Sequence, residues 1–343
     1  MPTIKKVAER AGVSVGTVSH VINASVPVSE PLRLKVQAAI RELNYHPNYV
    51  ARSLKTSKTR TLGIIVPDLT IPFFPQVIRG VETKAREHGY SLIAVNSTDD
   101  CERQKELLSL LHSQRVEGIL LVVAAGPSPL AQVNRIVEAG IPVVYVDRVP
   151  DRVAVDSISV DDVKAAEMGV EHLVSKGHRR IAIVTGPMTL KNERRRLLGS
   201  KQALRRAGLD VSEEFIWHGN LRPEDVAALC LQRLSGPLPR PDAIFATNGP
   251  TALGILRAFR DCGLRTPEDI GFATFDELTV DDVFSPAVTT VVQPAHEIGF
   301  RAAEILLKRI AGDQAPAVSQ PVTIRLAATL KIRDSSKAKS ISA

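Results

Sequence analysis

Twenty-one residues near the N-terminus, Thr3 to Asn23, constrain this chain more than any other stretch. Ile4, Val7, Ala8 and Ala11 recur at the spacing of one helix face. Gly12, Val13 and Ser14 break that pattern, and Ser14 is a good N-cap for a second helix. In the second helix Val18, Val21 and Ile22 fall on one side. Val15, Gly16, Ser19 and His20 fall on the other. Two short helices joined by a tight glycine turn, the second showing a small polar face, describe a helix-turn-helix. Such a face fits the major groove of DNA.

Charge points the same way. The chain of 343 residues is net +7. Residues 1–60 hold ten Lys and Arg against three acids, also +7, and the remainder balances 34 cations with 34 acids. A basic head on a neutral body is the electrostatic footprint of a polyanion binder. A membrane surface attracts cations too, but the head has no large apolar face beyond what its own core needs.

The apolar fraction of 44% is that of a soluble chain with a sizeable core, and the length suits two or three domains. No apolar run reaches membrane-spanning length, and no apolar signal segment opens the chain. Three widely spaced cysteines, Cys101, Cys230 and Cys262, suit reduced thiols in the cytoplasm and form no metal or redox motif. Scattered histidines and the absence of a phosphate-binding loop argue against an enzyme, and neither a metal nor a cofactor is expected.

The spacing divides the chain as follows. Residues 1–46 form a helical head, whose third helix has Ser29 as cap, Pro31 in its first turn and a stripe of Leu32, Val36, Ile40 and Leu43. Residues 47–60 form a hinge helix and linker, the helix being marginal in water because it is so short. From residue 61, strand-length apolar runs at 62–66, 92–95, 119–123, 143–146, 181–185, 243–247 and 270–274 alternate with helical patterns. Such alternation implies parallel sheets covered on both faces, here in two lobes. The expected first lobe is 61–160 plus 293–320, and the second is 161–292 plus 321–333. Residues 334–343 read as a disordered tail.

Over essentially its whole length the chain resembles the LacI/GalR family of bacterial transcriptional regulators. The resemblance rests on Thr3 to Lys5, Val7-Ala8, Ala11 to Ser14, Thr17 to Ser19 and Val21 to Asn23. It continues in Asn44-Tyr45, Pro47 and Ala51 to Leu54. In the body it rests on Pro72 to Phe74, Gly80 to Glu82, Arg115 to Gly118, Gly177-His178, Thr185 to Pro187, Asp276 and Pro286 to Thr290.

That resemblance implies a small all-α head and an α/β core of two doubly wound parallel-sheet lobes, like a periplasmic binding protein. It implies a cytoplasmic homodimer, most often a repressor, on a pseudo-palindromic double-stranded operator. Val15, Gly16 and His20 fall at base-reading positions, with Val15 suited to a thymine methyl and His20 to a base edge. Thr3, Ser14, Thr17, Ser19, Asn23, Arg52 and Lys55 fall at backbone-contacting positions. Leu54 falls where family members wedge a leucine into the minor groove; the plainer reading is a hinge anchor.

For a small effector, a carbohydrate in the family's terms, the resemblance points to Phe73, Phe74, Asp147, Arg148, Arg196, Asn248 and Asp276. Carboxylates accept from sugar hydroxyls, while Arg and Asn donate to them. Phe74 is equally an ordinary core aromatic. Gly249 and Leu221 depart from the family pattern, an acid and an aromatic being common there. The run Arg194, Arg195 and Arg196 either favours an acidic sugar or is a solvated helix face. The rival to a regulator is an exported sugar receptor without DNA activity, which the core alone supports and the basic head does not.

Overall fold

The structure is a computed structural model that describes residues 2–23, 26–45, 58–237, 239–278, 285–312 and 320–337. It divides into two compact units, residues 1–59 and 60–343.

The first unit is helical. Helix α1 (Ile4–Ala11) starts at Thr3, whose Oγ1 accepts from the Lys6 amide, and stops at Gly12. Gly12 sits in the left-handed region, at φ 66°, which a glycine reaches without steric cost. Helix α2 (Val15–Asn23) starts at Ser14, whose Oγ accepts from the Thr17 amide at 3.1 Å. Helix α3 (Glu30–Glu42) follows. Val7, Ala8, Val18, Val36 and Ala39 form a small core, with Val21, Ile22, Ile40 and Leu43 packed around it. Leu32 lies outside this cluster and is exposed, a correction to the stripe drawn for α3. A bidentate Arg10–Glu42 pair at 2.6–2.9 Å ties α1 to the end of α3.

The second unit holds two six-stranded sheets. The first lobe contains β1 (Thr61–Val66), α4 (Phe73–Glu87), β2 (Ser91–Asn96), α5 (Cys101–Ser113), β3 (Gly118–Leu121), α6 (Leu130–Glu138), β4 (Val143–Val146) and β5 (Asp156–Val160). The chain then crosses over. In the second lobe come α7 (Asp162–Ser175), β6 (Ile181–Thr185), α8 (Lys191–Arg206), β7 (Ile216–His218) and α9 (Pro223–Ser235). They are followed by β8 (Ala243–Ala246), α10 (Gly249–Asp261), β9 (Gly271–Phe275) and β10 (Thr289–Val292). Helix α11 (Ala295–Ala311) packs back on α4 of the first lobe. Strands β11 (Thr323–Leu326) and β12 (Thr329–Lys331) finish the two sheets.

The sheet orders are β11-β5-β4-β3-β1-β2 and β12-β10-β9-β8-β6-β7, all parallel except β12 on β10. Central strands such as Val143–Val146 and Ile181–Thr185 are buried along their whole length, as continuous apolar runs require when helices cover both faces. Two glycines let α4 and α11 meet closely. A Cβ on Gly80 would run into the His296 carbonyl, and one on Gly299 into that of Val77.

Two expected boundaries need correction. Residues 323–326 pair with β5 in the first sheet, so the return into the first lobe extends past residue 320. The tail expected from residue 334 is ordered at its start: Ser335 and Ser336 are buried. Ser335 Oγ accepts from the Thr289 amide at 2.8 Å and donates to the Phe272 carbonyl at 2.7 Å. Ser336 Oγ lies 2.7 Å from His172 Nε2. Small hydroxyl side chains can plug into a buried backbone edge, a fit that polarity along the sequence does not show. Among the described residues, no helix is long and apolar enough to cross a membrane.

Candidate effector pocket and DNA-reading face

In the head, Val18 faces the core, which turns Val15, Gly16 and His20 outward on α2. Val15 is 41% exposed, a large apolar residue left in water on an otherwise polar face. A Cβ added to Gly16 would meet only Ser14 Oγ, at 3.6 Å, so the absent side chain is not demanded by the head's own packing. Thr17 and Ser19 flank this face, partly buried. Ser14 and Thr17 share a hydroxyl contact of 2.9 Å that fixes the first turn of α2. Thr3 caps α1. The Asn23 side chain, Arg52, Leu54 and Lys55 lie outside the described residues, as does most of the 47–60 hinge.

The core brings its seven expected residues to one place. Phe73, Phe74, Asp147, Arg148, Arg196, Asn248 and Asp276 all line a pocket between the lobes, with about 340 Å³ of space including its mouth. Four of them stand where a strand ends, while Phe73 and Phe74 open α4 and Arg196 lies in α8. Asp147 and Arg148 follow β4, Asn248 follows β8 and Asp276 follows β9. Ligand sites in open parallel sheets form at such carboxyl ends. Asp147 and Asp276 both have left-handed backbone, at φ 59° and 70°. Side chains other than Gly, Asn and Asp rarely sit there, and such strain clusters at functional sites.

Arg196 organises the second lobe's wall. It is 2% exposed. Its Nε donates to Asp162 Oδ1 at 2.9 Å, and its Nη1 donates to the Thr247 carbonyl at 2.9 Å. The guanidinium lies 3.7 Å from the centre of the Phe275 ring. Its Nη2 is buried without a partner in the protein. Arg148 is held by Asp99 at 2.7 Å and sits 5.9 Å from the Phe74 ring. Phe74 is therefore both a pocket wall and part of the core, and it meets Phe73 edge-on at 5.2 Å.

The sequence reading missed Glu193. It is buried and accepts from the Gly186 amide at 2.8 Å, from Asn248 Nδ2 at 3.2 Å and from the Thr247 hydroxyl. It thus ties together the ends of β6 and β8. In the sequence it is one more charge on a polar helix; only its spacing of three from Arg196, one helix turn, hints at a shared face. Asn192, Ile71, Leu221 and Pro250 complete the lining. The arginine run resolves into three ion pairs: Arg194 with Asp151, Arg195 with Asp161 and Arg196 with Asp162. Each arginine thus has a carboxylate partner within the protein.

Burial dominates the acids' titration. It pushes Asp147 up to about 7, opposed by Arg196 and reinforced by Asp162 and Asp276. It pushes Asp162 up to about 6, with Arg196 again opposing. Asp276 is also raised by burial, against the pull of Arg196 and a hydrogen bond from Gln293 Nε2 of 2.8 Å. Unpaired buried polar atoms and carboxylates raised by burial, gathered at strand ends, are features more common at functional sites than in structural cores.

Comparison with known proteins agrees with both units. Residues 3–48 match the family model described as "Bacterial regulatory proteins, lacI family". Residues 59–330 match "Periplasmic binding proteins and sugar binding domain of LacI family". The ribose operon repressor of Escherichia coli (strain K12) is 37% identical over 310 residues, covering 90% of this chain and 93% of that protein. The HTH-type transcriptional repressor PurR of Vibrio vulnificus (strain CMCP6) is 37% identical over 310 residues, 90% and 92% of the two chains. The structure of the lac repressor dimer bound to operator and the anti-inducer ONPF matches with a TM-score of 0.84 at 29% identity, over 98% of this chain and 99% of that one. A transcriptional regulator CelR–cellobiose complex matches with a TM-score of 0.72 at 32% identity, over 98% and 100%. A helix-turn-helix head and a sugar-binding-type core of one family thus lie in a single chain, which belongs to the LacI family of DNA-binding transcriptional regulators.

Proposed function

We propose that the chain is a repressor, working as a homodimer, whose affinity for a pseudo-palindromic operator is set by a small carbohydrate bound between the lobes. The observation that carries the reading is the convergence of Asp147, Arg148, Arg196, Asn248 and Asp276 on one pocket beside Phe73 and Phe74. Paired acceptors and donors beside aromatic rings suit a polyol with one apolar face. The similar proteins named for ribose and cellobiose support the class. No acid–base or nucleophile arrangement is needed for this role, and we infer regulation rather than catalysis in the cytoplasm.

On DNA, His20 and Val15 read bases, while Thr3, Ser14, Thr17, Ser19, Asn23, Arg52 and Lys55 hold the backbone. Leu54 wedges into the minor groove at the operator centre. The ligand changes operator affinity only through its differential affinity for the free and DNA-bound states. The test is fluorescence anisotropy on operator and scrambled DNA across a salt series, with and without a monosaccharide panel. Operator binding should weaken with salt along a line in log–log form, and one sugar should shift it. Leu54→Ala should weaken operator binding far more than scrambled-DNA binding. Equal loss on both refutes the wedge, and an operator affinity indifferent to every sugar refutes the carbohydrate.

A further inference from the structure

Arg60, the first residue of the second unit, joins the linker to the core. Its backbone stands at φ 49°, in the left-handed region. Arginine lacks the short polar side chain with which asparagine and aspartate settle there. Arg115, at φ 54°, has a local reason for the same conformation: it follows the end of α5, and its amide donates to the His112 carbonyl at 2.9 Å. Arg60 ends no helix among the described residues. Strain that local structure does not demand must be held by the surroundings.

The surroundings do hold it. The Arg60 amide donates to Glu117 Oε1 at 2.6 Å, and its carbonyl accepts from the Ser91 amide at 2.9 Å. The Tyr90 hydroxyl donates to the other oxygen, Glu117 Oε2, at 2.9 Å. The Glu117 amide donates to the Thr61 carbonyl at 2.8 Å. Burial and the bond to Glu117 push the Tyr90 hydroxyl up to about 12, so it stays a donor through neutral pH. Gly89 leaves room for the Arg60 guanidinium, since a Cβ there would lie 3.0 Å from Nη1.

Arg60, Tyr90 and Glu117 each stand just before a strand: β1, β2 and β3, which are neighbours in the first sheet. One half-buried carboxylate, taking a bond on each oxygen, ties these three strand starts into a single mount. The pocket residues Asp147 and Arg148 follow β4 at the opposite, carboxyl end of the same parallel strands.

We propose that Glu117 is a positioning residue for DNA binding: by fixing the backbone of Arg60 it makes the linker's attachment point move with the sheet, and so sets the separation of the two heads that a dimer presents. The inference rests on the dimeric, palindrome-binding reading above and deepens it. One head on one half-site has no use for such a mount. Two heads on one duplex do, because their spacing must match that of the half-sites.

In the test, the full-length parent first selects its own palindrome from a pool of random-sequence duplexes. Fluorescence anisotropy then compares that palindrome, versions with one or two base pairs inserted at its centre, and a single half-site. In the parent the altered spacing should weaken binding at least about tenfold. In Glu117→Ala the spacing penalty should shrink to about threefold or less, while half-site affinity stays within about twofold of the parent. Glu117→Gln keeps an acceptor for the Arg60 amide and should restore the strict spacing. Tyr90→Phe spares the amide bond and should give a penalty between the two, which keeps the test open where Glu117→Ala does not yield a folded chain. A folded variant of either kind that keeps the parent's full penalty, or that loses half-site and palindrome affinity equally, overturns the role of Glu117 and leaves the regulator reading standing. A folded parent that selects no palindrome overturns both.

Discussion

Replacing Gly80 by alanine tests the packing on which the first lobe is built. In a solvent-facing helix the change stabilises by about 1 kcal/mol, because alanine is the better helix former. Here the sign should reverse. The new Cβ would overlap the His296 carbonyl and lie 2.8 Å from the Phe300 amide nitrogen. These are backbone atoms of α11, which no rotamer change can move aside. The helices must separate, loosening Val77 and Val81 against Ile298 and Ala302. Overpacking of this kind costs about 1–3 kcal/mol, occasionally more. Set against the propensity gain, the net loss is on the order of 2 kcal/mol at the upper part of that range. For a unit of this size that is a fall in Tm of about 3 °C. Gly299→Ala should do the same, since its Cβ would strike Val77 across the same crossing. The two changes push apart one pair of helices, so together they should cost less than their sum by about 1 kcal/mol. Urea and thermal unfolding of the two single variants and the double variant measure this. A Gly80→Ala protein more stable than the parent, or strict additivity with Gly299→Ala, would show that the close crossing is not the constraint described here.

Three further outcomes are expected. Burial raises the Asp147 carboxyl to about 7 in the folded protein, above its unfolded range, so its contribution to stability is present in acid and is lost as pH rises through 7. The loss accrues from the ordinary carboxyl range up to about 7, so Asp147→Asn should raise Tm clearly more at pH 8 than in acid below that ordinary range; an equal effect at both would reject the assignment. Ser335→Ala removes the acceptor of the Thr289 amide and the donor to the Phe272 carbonyl, at a cost of about 1–3 kcal/mol seen in urea unfolding. A neutral result would mean that the C-terminal segment is not structural. Arg196→Met strips the charge shared by Asp162 and Glu193 and should lower Tm and abolish ligand binding in calorimetry. DNA binding by the separate head unit should persist in a variant that still folds, and a parallel loss of DNA affinity would argue against that independence.

The parts of this fold that were legible in the sequence are those where one physical cause dominates. Strands such as β4 and β6 are buried on both faces, and a run like Val143–Val146 has no other good use. The head was legible because Gly12 and Ser14 are local signals, each sufficient for a turn or a cap. Strands β5 and β11 were not seen. Asp156, Ser157 and Ser159 interrupt the one, and Thr323 and Arg325 the other. Those polar residues are used: Asp156 accepts a bidentate pair from Arg309 at 2.8 Å, a partner 153 positions away. In the pocket, residues at the ends of strands followed from strand positions once the family pattern was in view. Glu193 did not, because its partners Gly186, Thr247 and Asn248 are brought to it only by the sheet. The partners of the arginine run were hidden for the same reason, since Asp161 and Asp162 reach it only through the packing of α7 on α8.

The left-handed backbone at Asp147 and Asp276 bears on how such a regulator changes over generations. Only glycine, asparagine and aspartate occupy that conformation readily. Glycine and asparagine are each one nucleotide change from an aspartate codon. Selection at these two positions thus moves within a three-letter alphabet: charged acceptor, neutral amide, or nothing. Every step keeps the strand-end turn and alters the charge offered to the ligand. A change of effector therefore has a short mutational route here, and none of its steps requires the lobes to be rebuilt.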